Sequence, residues 1–83
     1  MNVLLTCAGR GNYLVQYFRE ALCGSGRVLA ADANRNAPAL SEADKAFVVP
    51  PAAHAAYVDF IHNICCRHGV RLLVPLNTIL SDK

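Results

Sequence analysis

The chain has 83 residues, a formal net charge of +2, 54% hydrophobic and 17% charged residues. That length allows one small domain with a thin core, and a weak, scattered positive charge without any run of Lys and Arg excludes a nucleic-acid footprint. The sequence opens with no basic segment leading into an apolar core and cleavage site, and no apolar run approaches the roughly 18 residues of a membrane span, so the expectation is a soluble, cytoplasmic protein with neither membrane nor nucleic-acid partners.

Asn2 to Leu22 organises the rest. Val3, Leu4 and Leu5 form a short buried strand that stops at Thr6-Cys7-Ala8, and Gly9-Arg10-Gly11-Asn12 turns the backbone into a helix. That helix carries Leu14, Val15, Phe18, Ala21 and Leu22 on one face and Gln16, Arg19 and Glu20 on the other. Asn12 is the expected side-chain cap, and Gly24 the left-handed stop. Arg27 to Asp32 reads as a second apolar strand, closed by an acid.

An Asn-rich loop from Ala33 to Pro38 follows. Ala39 to Lys45 reads as a short helix or turn that carries Glu42 and Asp44 outward. Ala46 to Val49 is a third strand, stopped by Pro50-Pro51. The spacing of Tyr57, Phe60, Ile61, Ile64 and Cys65 predicts a second main helix from about His54 to His68, capped by Gly69. Val70 to Val74 is a fourth strand, ended by Pro75, after which Asn77 or Thr78 opens a further helix.

Apolar strands joined through helices imply parallel pairing and right-handed crossovers. The fold class is therefore α/β, a Rossmann-like open parallel sheet of about four strands in the order 3-2-1-4 with two main helices, half of a doubly wound domain. Ligands of such sheets bind at the carboxyl ends of the strands flanking the point where the order reverses, here between strands 1 and 4. Cys7 to Asn12 line one side of that crevice and Pro75, Leu76 and Asn77 the other.

A Gly-rich turn feeding a helix aims free amides and the positive end of the helix dipole at one place, which favours an anion. Gly9 and Gly11 supply two glycines of a G-x-G-x-x-G pattern, with Leu14 in the third place. Asp32 stands where an acid would meet a ribose, or else caps its own loop. Arg10 is the cation of the turn and suits a carboxylate or phosphate. No acid or His follows Cys7 within the turn to serve as its base, so no catalytic residue is assigned. Cys7, Cys23, Cys65 and Cys66 lack CxxC spacing and read as reduced structural thiols. His54, His62 and His68 form no i, i+4 pair, so no metal site is assigned and the histidines read as surface or capping residues.

The segments NVLLTCAGR with YLV, VLAAD with APALSEADKAFVVP, Tyr57 before the helix with Ile64-Cys65, and LLVPLN together resemble the N-terminal pre-ATP-grasp domain of ATP-grasp ligases. The likeness is to the group similar to the large subunit of carbamoyl-phosphate synthase. It implies an enzyme that activates a carboxylate with ATP as an acylphosphate for attack by an amine. It also implies that ATP and Mg2+ are held by a separate ATP-grasp domain, a partner missing from residues 1–83, which then read as a pre-ATP-grasp domain truncated at its C-terminal end and not catalytic alone. The N-terminal domain supplies a wall for the small-molecule carboxylate or amine, which by position falls to Gly9, Arg10, Gly11 and Pro75 to Asn77. Two departures mark the chain: Gly11 where a second basic residue is common, and no acid in Asn77 to Ser81. The alternatives are a stand-alone Rossmann-like module for a nucleotide or anionic metabolite, and a structural domain that self-associates through the edge of strand 4.

Overall fold

Val3, Leu4 and Leu5 have no exposed surface, because β1 (Asn2–Thr6) is flanked on both sides by other strands and covered on both faces. The computed structural model describes residues 1–9 and 11–76 of the chain. In them, β2 (Val28–Asp32), β3 (Lys45–Val48) and β4 (Val70–Pro75) join β1 in one sheet ordered β3-β2-β1-β4, as expected. All pairs are parallel, with Leu4 opposite Leu29 on one side and Leu73 on the other.

The helices divide between the faces as handedness requires. The chain moves one way from β1 to β2 to β3, then crosses back to β4, and right-handed connections place the helices of the two directions on opposite faces. Accordingly α1 (Asn12–Leu22) and α2 (Pro38–Glu42) cover a core of Val3, Leu5, Val28 and Ala30, while α3 (Tyr57–His68) covers Leu4, Leu29 and Ala31. Even and odd positions of the same strand thus feed different cores.

Several local expectations change. Asp44 does not point outward: its Oδ2 accepts the Val28 N–H at 2.8 Å and its Oδ1 lies 3.4 Å from Arg19. Glu42 likewise turns back, accepting from Gln16 Nε2 at 3.0 Å through its side chain and from Arg19 at 3.0 Å through its carbonyl. With five residues, α2 is too short to carry its end away from α1. At the end of α1 two positions have positive φ: Cys23 (φ 48°), whose N–H reaches the Arg19 carbonyl, and Gly24 (φ 85°), as expected.

Proline and histidine delay α3. His54 donates its N–H to the Pro51 carbonyl, and its ring Nδ1 accepts the Ala56 N–H at 3.0 Å, so the chain turns before Tyr57 opens the helix. His54 thus braces the turn ahead of α3, whose N-cap is Ala56 without a side-chain cap. Pro75 belongs to β4 and pairs with Thr6, a position an edge strand tolerates. As an edge, β4 keeps exposed Leu72 and Leu73 and free backbone groups. No helix among the described residues is long and apolar enough to cross a membrane.

Candidate functional site

The crevice between β1 and β4 is built from the carboxyl ends of the central strands. Thr6 is buried and faces Pro75 across the β1 and β4 pair and Ala31 across the β1 and β2 pair. Immediately beyond it the chain leaves the sheet abruptly, with Cys7 (φ 52°) and Gly9 (φ 41°) both in the left-handed region. A left-handed conformation costs a side-chain-bearing residue such as Cys7 about 1 kcal/mol. Two bonds hold the turn: Ala8 donates to the Ala31 carbonyl, and the Gly9 carbonyl accepts the Ala39 N–H at 3.1 Å.

Gly11, rather than Asn12, is the cap of α1, and no side chain caps that helix. Asn12 is its first residue. The Gly11 N–H donates to the Ala8 carbonyl at 2.6 Å. A Cβ at Gly11 would lie 2.7 Å from Leu76 Cδ1 and 2.9 Å from the Ala8 oxygen. Leu76 is fully buried there, a plug of the α1-side core, and this contact locks the Gly-rich turn to the end of β4. The uncapped first turn of α1 leaves its leading amides and the positive end of the dipole at the crevice.

Asp32 ends β2, with Oδ2 accepting the Asn34 N–H at 3.0 Å and its carbonyl accepting the Val49 N–H. It therefore caps its own loop, the local role expected of an acid at that place. Gly11, Pro75 and Leu76 gather at the β1 and β4 junction, Asn12 opens α1 beside them, Gly9 is tied toward α2 by its bond from Ala39, and Asp32 stands at the neighbouring strand end. Arg10 and Asn77 lie outside the described residues.

Tyr57, which the sequence places on a helix stripe and among the segments of the family likeness, also reaches the crevice. A helix returning between parallel strands must start at their carboxyl ends, so the first turn of α3 overhangs the crevice. The Tyr57 hydroxyl lies 3.7 Å from Cys7 Sγ. Burial pushes this phenol above its ordinary value; the Thr6 hydroxyl opposes that shift, and Cys7 and the charge of Asp32 add to it. Tyr57 thus stays neutral across the physiological range, able to donate or accept one hydrogen bond. Below it, Val58, Ile61, Cys65 and Leu73 line an apolar hollow of about 340 Å³. The Cys65 thiol there is pushed up, chiefly by burial and further by Cys66.

No group of three or more His, Cys, Asp or Glu that could ligate a metal occurs among the described residues. A family model described as the N-terminal domain of PylC-like proteins matches residues 3–79. The chain belongs to this PylC-like N-terminal family. No curated protein matches it. A PylC-like N-terminal domain is the substrate-binding, non-catalytic module of a larger ATP-grasp-type ligase, consistent with the pre-ATP-grasp likeness of the sequence segments.

Proposed function

We propose that the crevice between β1 and β4 is one wall of the substrate site of an ATP-dependent carboxylate–amine ligase. Its residues are Gly9, Arg10, Gly11, Asn12, Asp32, Pro75, Leu76 and Asn77, with Tyr57 added as a neutral hydrogen-bonding group. The observation that carries the reading is the uncapped N-terminus of α1, which meets the β4 end at the sheet's switch point in a domain of this family. Gly11 acts indirectly, leaving room for Leu76 so that both sides of the crevice stay in register. Asp32 shapes the β2 loop. Arg10 supplies the positive charge for a substrate carboxylate.

The family is consistent with use of ATP and Mg2+ by the complete enzyme. The described residues offer no cluster of metal ligands, so the reading assigns the nucleotide, the metal and carboxylate activation to the ATP-grasp domain. In a ligase carrying this domain, Arg10→Ala should raise KM for the carboxylate or amine substrate about tenfold, the scale of one charge-assisted hydrogen bond. KM for ATP should stay within about twofold. An unchanged substrate KM, or an equal loss for ATP, would overturn the assignment.

A further inference from the structure

Helix α3 leaves a second groove on its other flank, over the edge strand β3. This cavity, about 470 Å³, is larger than the hollow beside Tyr57 and is lined by Phe47, Val49, Phe60, Ile64, Arg67 and His68, among others. Phe60, Asn63, Ile64, Arg67 and His68 recur at i, i+3, i+4, i+7 and i+8, so one whole face of α3 looks toward β3. Phe60 is 46% exposed, a large apolar side chain without cover. Phe47 supports the far end, its ring 5.2 Å from that of His68.

Positive charge gathers at one end of the groove, while Asp59 stands at the other end of the helix stripe that runs through Asn63 and Arg67. Arg67 and His68 lie in the last turn of α3. Lys45 opens β3 opposite Leu29, which places it on the α3 face at the same end of the sheet. No carboxylate lines the groove. The topology also carries the chain away from this flank, since β4 lies on the opposite side of β1. A slot beside a helix on a sheet takes another helix, whose axis packs 8–10 Å away.

We propose that the α3 and β3 groove docks an amphipathic helix with an acidic flank, contributed by a second protein domain. Its apolar stripe covers Phe60, Ile64 and Phe47, and its carboxylates face Arg67, His68 and Lys45. Such a helix-in-groove contact draws affinity from the stripe and selectivity from the charges.

The probe is a fluorescein-labelled designed helix of about four turns, with a Leu stripe flanked by Glu, and its twin flanked by Lys. Fluorescence anisotropy with the 83-residue chain should show the Glu peptide binding at least about tenfold more tightly than the Lys peptide, with the gap closing in high salt. Arg67→Glu, at an exposed position, should reverse the preference, and Phe60→Ser should weaken both peptides. Equal binding of the twins, or no binding, overturns the proposal. So does sedimentation showing that the chain dimerises and that Phe60→Glu makes it monomeric, because the occupant is then a second copy. Arg10→Ala should leave both peptides' affinities unchanged, so failure here is separable from failure of the substrate-site reading.

Discussion

On the α1 and α2 face the sheet is closed by apolar packing from Val3 to Leu76 and latched at the rim by Asp44, Glu42 and Arg19. Among the described residues one helix, α3, lies over the middle of the sheet on the opposite face, and grooves run along both of its flanks. Two helices cross the first face because the chain makes two connections in that direction, against one on the other. The closed face holds the larger buried core, and the open face keeps the two grooves beside α3. Exposed large apolar side chains stand on both: Val58, Phe60 and Leu73 on the open side, Tyr13, Tyr17 and Leu72 on the closed one.

The sharpest way to break that contrast is to shorten one leucine from each face. Leu5→Ala, fully buried on the closed side, should cost about 3 kcal/mol. Leu73→Ala, 45% exposed on the open side, should cost under about 1 kcal/mol. Urea midpoints read both, and equal losses would show that the open face is as load-sharing as the closed one. A smaller effect is expected at the seam. Gly11→Ala drives a methyl into Leu76 and the Ala8 carbonyl, and should destabilise by about 1–3 kcal/mol. Leu76→Ala in the same chain should relieve part of that clash, so the double-mutant cycle should be non-additive.

The smallest effect concerns Tyr57. Its folded-state value is raised, so its share of stability is fully present below the ordinary phenol value of about 10 and is lost as pH climbs from there through the raised value. Tyr57→Phe should flatten the alkaline limb of the stability curve and leave the neutral region nearly level. An unchanged alkaline slope would mean that the phenol is not desolvated by the crevice.

The architecture was legible because the strongest signals are periodic and local. Val3 to Leu5 and Val28 to Ala31 are continuous apolar runs, as doubly covered parallel strands must be, and the stripe from Leu14 to Leu22 can only be a helix on a sheet. The order β3-β2-β1-β4 matches the β-α-β-β-α-β pattern of one half of an open parallel sheet. What escaped depends on partners distant in sequence. Asp44 reads as a surface acid until Val28 is brought beside it, and Gly11 reads as mere turn chemistry until Leu76 arrives against it. The cap of α1 slipped by one residue because two adjacent positions suit it and tertiary packing chose the smaller. At the site, the Gly-rich turn was visible in the sequence, whereas the approach of the Tyr57 hydroxyl to Cys7 was not, since the two are fifty residues apart.

The position of β1 has a kinetic consequence. It precedes the other described strands, yet its pairing with β4 joins Asn2 to Val70 and Leu5 to Val74, so one of its edges stays open until β4 has been synthesised. At about 5–20 residues per second, ribosomal synthesis leaves that edge waiting for several seconds. Closing so long a loop also makes its pairing a late, slow event. The segment best shielded in the finished domain is therefore the one exposed longest to chaperones and to aggregation while the chain emerges.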